Sequence, residues 1–352
     1  MGGKRLRVVQ WATGTVGRSA MRAIIEHPAL ELVGVKVYSG NKAGLDAGDL
    51  CGLPPTGIKA TRDIGDVLAL KPDCVVYMPE STDMDDVCRI LESGTNISTT
   101  RAEFFNPDCM EPALRQRIEA ACTRGNSSIH ATGSSPGFIT EALPIVLLSL
   151  QRRLDLLAID EYANCIDGCS EEMLLGVMGF GETPEAFAKR SHADRDVVFE
   201  HSLAVIAKAI GLTLDGFEGQ GEIALTRHPT RLHSTIIEAG TVGGQRYTLN
   251  GLVDGKPRLR FRCNWFVTSE LEPAWDLRDD GWRVVVEGDT PLDISITFPI
   301  PSDREERQLV LPRLTAHRPV NAIASICSAS PGILTTADLP QVFARLGYTK
   351  VH

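Results

Sequence analysis

A glycine-containing turn near the start of the chain is the first place where residue types and spacing could do chemistry. A short apolar run, residues 7–11, leads into this turn, and a helical stretch follows it. Gly14 would let the backbone approach a pyrophosphate, Gly17 would let helix and strand pack closely, and free N–H groups at the helix start would bind the phosphates. We expect Trp11 to stand where a full fingerprint has its first glycine; the alternative is a plain tight turn. The predicted cofactor-binding residues here are Thr13, Gly14, Thr15, Val16 and Gly17.

The end of the second apolar run, residues 33–38, bears on which nicotinamide cofactor is bound. Enzymes that prefer NAD have an acidic residue there, which binds the free ribose hydroxyl. This run instead ends in a hydroxyl, an amide and a cation, which suit a 2′-phosphate better than a carboxylate does. The sequence therefore favours NADP, with NAD possible, although Lys42 could also be a solvated loop lysine. The residues concerned are Ser39, Gly40, Asn41 and Lys42.

Glu103 is the candidate for acid/base chemistry. Ligands of open α/β sheets lie outside the carboxyl ends of the strands, here the loops that follow residues 76–78 and 96–98. Glu103 follows the second of these and precedes two phenylalanines. We expect this environment to raise the carboxyl pKa by desolvation and to suit it to proton transfer. Alternatively, Glu103 caps the next helix or pairs with Arg101. The same loops supply further expected cofactor contacts: Met78, Pro79 and Thr100.

The pattern of elements predicts an α/β fold with two domains. Short apolar runs alternate with helical stretches from Leu6 to about Gly133, which is typical of βαβ units in a parallel Rossmann sheet. From Leu156 onward, alternating segments and glycine turns indicate an inserted α+β domain built on an antiparallel sheet. We expect residues 1–135 plus 315–352 to form the dinucleotide-binding domain and residues 136–314 the substrate-binding and dimerisation domain. The returning tail would bring the amide of Asn321 to the cofactor cleft, and we expect the arginine-containing stretch 304–313 to be a solvated loop.

Composition excludes several classes of function. The chain has 352 residues and a net charge of -9, which argues against nucleic-acid and anionic-membrane partners, because both require a basic face. No run approaches the roughly 20 apolar residues of a bilayer span, and the start lacks the apolar core of a signal peptide, so we expect a cytoplasmic protein. Its nine cysteines are expected to be reduced, and Cys165 with Cys169 lacks the second pair that a metal site needs. We predict no metal.

Four separated segments carry a family resemblance: residues 8–17, 101–105, 131–138 and 318–323. Together they resemble the 2,4-diaminopentanoate dehydrogenase-like proteins, a group that includes native amine dehydrogenases and is often labelled dihydrodipicolinate reductase-like. The resemblance implies NAD(P)H-dependent reductive amination of a small ketone or aldehyde by ammonia, with a glutamate at the position of Glu103 as acid/base. Where family members often have an asparagine before the Pro-Gly-Phe run, this chain has Ser134 and Ser135. It also lacks the His-His pair of true dihydrodipicolinate reductases.

Other functions remain open at this point. An imine or carbonyl reductase could use the same cofactor without ammonia, since a Rossmann domain does not select the acceptor. A non-enzymatic NADP-sensing protein is a further alternative, and it would need no acid/base. We expect a homodimer, because sheets of such second domains commonly pair across a two-fold axis. The residues expected to line the pocket for the carbonyl or amine substrate are Phe138, Tyr162 and Asn164.

Overall fold

The structure, a computed structural model, describes residues 4–166, 168–190, 193–301 and 303–346. Its strands are β1 (Leu6–Trp11), β2 (Leu30–Lys36), β3 (Ala60–Thr61), β4 (Cys74–Tyr77), β5 (Asn96–Thr99), β6 (Ser128–Ala131), β7 (Leu154–Asn164), β8 (Gly216–Thr226), β9 (Thr230–Arg231), β10 (Ile236–Ile237), β11 (Val242–Val253), β12 (Lys256–Phe266), β13 (Leu271–Glu272), β14 (Gly281–Gly288), β15 (Leu292–Thr297) and β16 (Gly332–Leu334). Its α-helices are α1 (Thr15–Glu26), α2 (Ala47–Cys51), α3 (Ile64–Ala69), α4 (Met84–Glu92), α5 (Pro112–Gly125), α6 (Leu143–Leu148), α7 (Pro184–Phe187), α8 (Ala193–Ala209) and α9 (Arg304–Ser328). No helix among the described residues is long and apolar enough to cross a membrane.

The chain divides into two compact units. The first comprises Met1–Phe138 and Pro312–His352, and the second comprises Ile139–Leu311. In the first unit, one sheet has the strand order β16-β6-β5-β4-β1-β2-β3, and every neighbouring pair is parallel. The residues of β4 and β6 are all buried, as expected for central strands covered on both faces. The α/β fold class with a parallel Rossmann sheet is therefore confirmed.

The last part of the chain returns to this first sheet. Helix α9 packs Ala316, Val320 and Ile323 into a core shared with β1, β2 and β4, and β16 then pairs with β6. The expectation of a solvated loop over residues 304–313 is wrong, because α9 already begins at Arg304. Arginine, glutamate, glutamine and leucine make up most of this stretch, and they are strong helix formers.

In the second unit, the main sheet has the order β13-β8-β11-β12-β7-β14-β15. Its neighbours are antiparallel except for β7 and β12, which run parallel, so the sheet is mixed rather than purely antiparallel. Helix α8 covers one face, where Phe199 stacks on Phe261 with ring centroids 4.1 Å apart. Alternating hydrophobicity predicted the strands but not this pairing, because the alternation reports which face is buried and not which strand lies alongside.

His130, on β6, makes the stability of the first unit depend on pH. The imidazole is buried, its Nδ1 lies 2.8 Å from the carbonyl oxygen of Leu334, and burial lowers its pKa to about 4. The unfolded chain binds a proton near pH 6.5, so between pH 6.5 and 4 only the unfolded state is protonated at this site. The contribution of neutral His130 to the free energy of unfolding is therefore fully present above pH 6.5, and it is lost as the pH falls toward 4.

We expect this histidine to remove roughly 2 kcal/mol from the free energy of unfolding between pH 7 and pH 5. Urea unfolding of the wild type and of His130→Asn at both pH values measures this change in the free energy of unfolding. The variant should lose that part of the pH dependence, whereas His228→Asn, at an exposed histidine, should retain it. An unchanged pH dependence in His130→Asn would show that other groups cause it.

Candidate active site

The turn after β1 has its strained residue at Ala12 and not at Trp11. Counting back from Gly14 and Gly17, the first fingerprint glycine corresponds to position 12, so the expectation for Trp11 is corrected. Ala12 has a φ of 71°, the left-handed region that favours glycine. Trp11 is instead the buried last residue of β1, and its indole N–H donates to the Tyr38 hydroxyl at 2.9 Å.

The glycines of the turn fit a closely approaching ligand. A Cβ at Gly17 would lie 2.4 Å from the carbonyl oxygen of Ala12, so only glycine allows this contact between helix and turn. A Cβ at Gly14 would meet no atom of the described residues within 4 Å, so the backbone faces open space there. Helix α1 begins without a side-chain cap or an acidic residue in its first turn, and so its first N–H groups have no side-chain partner. By contrast, Asp83 caps α4 through two backbone N–H groups.

The segment after β2 folds back onto this turn. The Lys42 ammonium donates to the Thr13 carbonyl oxygen at 3.1 Å and lies 3.4 Å from its hydroxyl, so Lys42 is not a free loop lysine. The Ser39 hydroxyl bonds to the side-chain oxygen of Asn41. Arg62 approaches the same segment, because its guanidinium lies 3.9 Å from a Cβ built on Gly40. Sequence reasoning missed Arg62, since it follows the two-residue strand β3, which is too short to show a period.

Lys36 occupies the place at the end of β2 where NAD enzymes have a carboxylate. Its side chain is buried, and its ammonium lies 4.3 Å from the ring centroid of Tyr38 and 5.1 Å from that of Trp11. Burial lowers the pKa of this lysine, while attraction to Asp86 opposes the shift. Among the described residues, the end of β2 therefore has a lysine and two aromatic rings at the place where NAD enzymes have a carboxylate.

The carboxyl ends of β4 and β5 bring the remaining predicted cofactor contacts to the same edge. The backbone N–H of Met78 donates to the Trp11 carbonyl oxygen at 3.0 Å, which places Met78 and the buried Pro79 beside the turn after β1. Thr100 follows β5 and is half-buried, next to Thr99, whose hydroxyl donates to the carbonyl oxygen of Tyr77 at 2.6 Å.

Glu103 lies in a short 3-10 turn after β5, with its carboxylate anchored through one oxygen. Oε1 accepts hydrogen bonds from the Thr82 hydroxyl at 2.8 Å and from the Arg101 guanidinium at 2.9 Å. Arg101 is itself held, because it donates to the Thr82 hydroxyl and to the carbonyl oxygen of Glu80. Oε2 is buried and has no hydrogen-bond partner among the described residues. One oxygen of the carboxylate is thus fixed, and the other is available to a ligand.

The electrostatics of Glu103 differ from the expectation. Burial alone would raise its pKa, but hydrogen bonds from Arg101, from its own backbone N–H and from Thr82 outweigh it and lower the pKa. Phe104 and Phe105 do not desolvate the carboxylate in the way we expected, because both pack into the core of the first unit. The prediction of a raised pKa is therefore wrong, and Glu103 is ionised at neutral pH. The ion pair with Arg101, one of the alternatives, is present.

Asn321 lies away from the Gly14 turn. Within the first unit, helix α9 passes the carboxyl edge of the sheet at Thr315, whose hydroxyl lies 2.8 Å from that of Ser134, and its last turn lies at the amino edge, where the Cys327 thiol contacts the carbonyl oxygen of Asp73. Asn321 there helps to line a cavity of about 450 Å³ together with Lys4 and other residues that precede or begin β1. It thus lies toward the opposite end of β1 from Gly14, a strand length of roughly 20 Å. The expected contact of Asn321 with a cofactor is not retained.

The predicted pocket residues lie in different units. In the first unit, Phe138 is half-buried, with the Arg318 guanidinium 5.8 Å from its ring centroid. In the second, burial raises the pKa of Tyr162, whose ring centroid lies 5.9 Å from Arg278. The side chain of Asn164 accepts from the backbone N–H of Ile166, which is a local turn contact. From the sequence, Tyr162 and Asp167 are the next candidates for the acid/base if Glu103 does not have that role, and Asp167 lies outside the described residues.

Comparisons with known proteins agree over nearly the whole chain. Residues 171–351 match the family model described as the 2,4-diaminopentanoate dehydrogenase C-terminal domain. An amine dehydrogenase from Streptomyces virginiae is 30% identical, over 97% of this chain and 99% of that protein. The 2,4-diaminopentanoate dehydrogenase of Acetoanaerobium sticklandii is 24% identical, over 98% of this chain and 96% of that protein. The solved amine dehydrogenase from Mycobacterium smegmatis has the same fold, with a TM-score of 0.80 at 21% identity and 97% coverage of each chain.

Proposed function

This chain belongs to the 2,4-diaminopentanoate dehydrogenase-like family of amine dehydrogenases and is an oxidoreductase, and we propose that it catalyses the reversible, NADP(H)-dependent reductive amination of a small ketone or aldehyde by ammonia. The observation that carries this proposal is the state of Glu103. Its Oε1 is held by Thr82 and Arg101, and its buried Oε2 has no partner among the described residues. An ionised carboxylate with one free, sheltered oxygen suits an ammonium ion or a protonated amine.

The residues around the turn after β1 fit a dinucleotide. The open space at Gly14 and the uncapped start of α1 would accept the pyrophosphate, and the end of β2 would hold the adenosine ribose. Met78, Pro79 and Thr100, at the ends of β4 and β5, would lie along the nicotinamide side. When bound, the nicotinamide supplies hydride for amination and accepts it in the reverse direction.

Glu103 accepts and donates the protons that the reaction transfers. Because Arg101 and Thr82 keep it ionised, its Oε2 can accept a proton from ammonium and so release ammonia to attack the carbonyl carbon. The resulting carbinolamine must lose water, and the same carboxyl group, now protonated, can donate to the departing hydroxyl. In the direction of deamination, the carboxylate takes the proton that the amine must lose. Arg101 and Thr82 are positioning residues, since they act by fixing Glu103.

Selectivity for NADP rests on the cations at the end of β2. The bond from Lys42 to Thr13 and the approach of Arg62 to Gly40 place two positive charges beside the segment that would meet the ribose. Removing one charge-assisted hydrogen bond costs about 1.5 to 3 kcal/mol. We therefore expect Lys42→Ala and Arg62→Ala each to raise the Kd for NADP by roughly 10- to 150-fold and to leave that for NAD nearly unchanged.

These Kd values are measured by calorimetry, or by a fluorescence titration, with each of the two nucleotides. Lys59→Ala is the matched control, because Lys59 is an exposed lysine near the same region that pairs with Asp46. Equal weakening of NAD and NADP binding would mean that the two cations stabilise the turn and do not contact the 2′-phosphate.

Dependence on ammonium separates the proposed activity from the alternatives. NADPH oxidation should be followed with a panel of small ketones and aldehydes, each with and without ammonium. Turnover only with ammonium supports amination. Turnover that is independent of ammonium would identify a carbonyl reductase, and cofactor binding without turnover of any substrate would favour a sensor.

We assign the cofactor to the first unit, and substrate contacts and dimerisation to the second. The sheet face opposite α8 carries alternating opposite charges, since the neighbouring positions Asp160, Arg262 and Arg283 share it, and Arg283 pairs with Asp293 at 2.7 Å. Such a face can match a second copy of itself across a two-fold axis. We expect light scattering to find a dimer that Arg262→Glu weakens roughly tenfold and that the control Arg22→Glu, on helix α1 of the first unit, does not affect. A monomeric wild type would refute this assignment.

A further inference from the structure

Two cysteines from distant parts of the chain meet in the first unit. Cys74, the first residue of β4, is fully buried, and Cys327, in the last turn of α9, is half-buried. The Cys327 thiol donates to the carbonyl oxygen of Asp73 at 3.6 Å, although the two residues are 254 positions apart. The returning helix therefore ends directly against the start of a central strand.

The two cysteines are neighbours in the core of the first unit and have unequal environments. Cys327 packs against the cluster of buried residues that contains Cys74, and its sulfur lies 3.6 Å from the backbone carbonyl oxygen of the residue before Cys74. Burial raises the pKa of the Cys74 thiol, and the nearby Cys327 adds to this shift. Cys327 has partial access to solvent and Cys74 has none. An oxidant would therefore reach Cys327 first, and Cys74 would be the nearest second thiol.

We propose that Cys74 and Cys327 form a modification site, at which a peroxide converts the two thiols to a reversible disulfide. The Cys327 thiolate attacks hydrogen peroxide, giving a sulfenic acid and hydroxide. The Cys74 sulfur then attacks the sulfenic sulfur, the S–S bond forms, and the hydroxyl leaves as water. In total, two thiols and one hydrogen peroxide give one disulfide and two waters, so the cysteines are oxidised and the peroxide is reduced.

The position of this bond gives it a physical consequence. The segment between the two cysteines contains the whole second unit, and so the disulfide closes a very long loop. In the reduced protein, noncovalent contacts such as the bond from the Ser98 hydroxyl to the Pro319 carbonyl oxygen join α9 to the sheet. Closing so long a loop restricts the unfolded chain, and so oxidation should raise the Tm by roughly 5 to 10 °C.

The test treats the folded, full-length protein with hydrogen peroxide, followed by alkylation of the remaining thiols. We expect faster migration on a denaturing gel without reductant, a peptide linking Cys74 to Cys327 by mass spectrometry, a higher Tm, and reversal of all three by dithiothreitol. Cys327→Ser should abolish them, and Cys327→Ala serves if the serine variant has a lower Tm under reducing conditions. Cys109→Ser, which removes an exposed cysteine, should behave like the wild type.

The chain contains an internal competitor for oxidation. Cys165 and Cys169 are also close neighbours, because the backbone N–H of Cys169 donates to the carbonyl oxygen of Cys165 at 3.1 Å, but they lie only four positions apart, so a bond between them would barely change gel migration. A disulfide found only between these two cysteines would overturn the proposal, and so would irreversible oxidation of Cys327 without a link to Cys74.

Discussion

Replacing Glu103 by Gln is expected to lower the turnover of ammonia-dependent NADPH oxidation by roughly 100- to 10,000-fold, the range for losing a general acid/base. Glutamine keeps the volume and can still accept the bonds from Thr82 and Arg101 at its oxygen. It cannot take a proton from ammonium or pass one to the departing hydroxyl. The affinity for NADP should barely change, because no phosphate contact is assigned to Glu103.

The control for this variant is Glu80→Gln. Glu80 is an exposed carboxylate in the neighbouring loop, and only its backbone carbonyl contacts Arg101, so its side-chain charge should be dispensable. Steady-state rates with saturating carbonyl and ammonium, together with the Kd for NADP, separate chemistry from binding. If Glu103→Gln kept near-normal rates, Glu103 would only anchor Arg101, and another acid/base would be required.

The pH profile provides an independent check on the role of Glu103. Since hydrogen bonds to Arg101 and Thr82 lower its pKa, the carboxylate stays ionised below the range usual for glutamate. The acidic limb of kcat/KM that reports Glu103 should therefore lie below the ordinary pKa of about 4.3. A limb near neutrality that disappears in Glu103→Gln would mean that the group is protonated in the resting enzyme.

Replacing Gly17 by Ala is the second change with a large expected effect. The added Cβ would lie 2.4 Å from the carbonyl oxygen of Ala12 and 3.2 Å from the side chain of Gln10, so the backbone of the turn must move. Overpacking of this kind typically costs about 1 to 3 kcal/mol of stability. Because the displaced atoms belong to the turn that would hold the pyrophosphate, we expect the Kd for NADP to rise roughly 100-fold.

Gly14→Ala is the matched variant for this prediction. Gly14 has a φ of -70°, which alanine adopts freely, and an added Cβ would meet no atom within 4 Å in the part of the chain that the structure describes. The Tm should therefore stay near that of the wild type, while the methyl group still obstructs an approaching phosphate. Thermal unfolding and cofactor titration of both variants distinguish the two effects. A Gly17→Ala protein that binds NADP normally would show that this turn does not hold the dinucleotide.

The parallel Rossmann sheet and the glycine-containing turn after β1 could be predicted because their signals are local. Central parallel strands are apolar along their whole length, and the turn after β1 needs Gly14 and Gly17 at a fixed spacing. The same reasoning placed the register one residue early, at Trp11, because only the backbone shows which residue has the left-handed φ. Arg62 was not predicted as a cofactor contact, because the strand before it, β3, has only two residues and so shows no periodic pattern.

The amino-acid sequence by itself determined the fold class and the residue types at the ends of the parallel strands, since these follow from local pattern and spacing, and its resemblance to known proteins in four separated segments indicated the family. Tertiary structure alone decided the electrostatics of Glu103, because its pKa depends on the competition between burial and the hydrogen bonds from Arg101 and Thr82. It also decided that Asn321 lies away from the turn and that β7 runs parallel to β12. Each of these depends on which distant segments become neighbours when the chain packs, and no local sequence pattern contains that information.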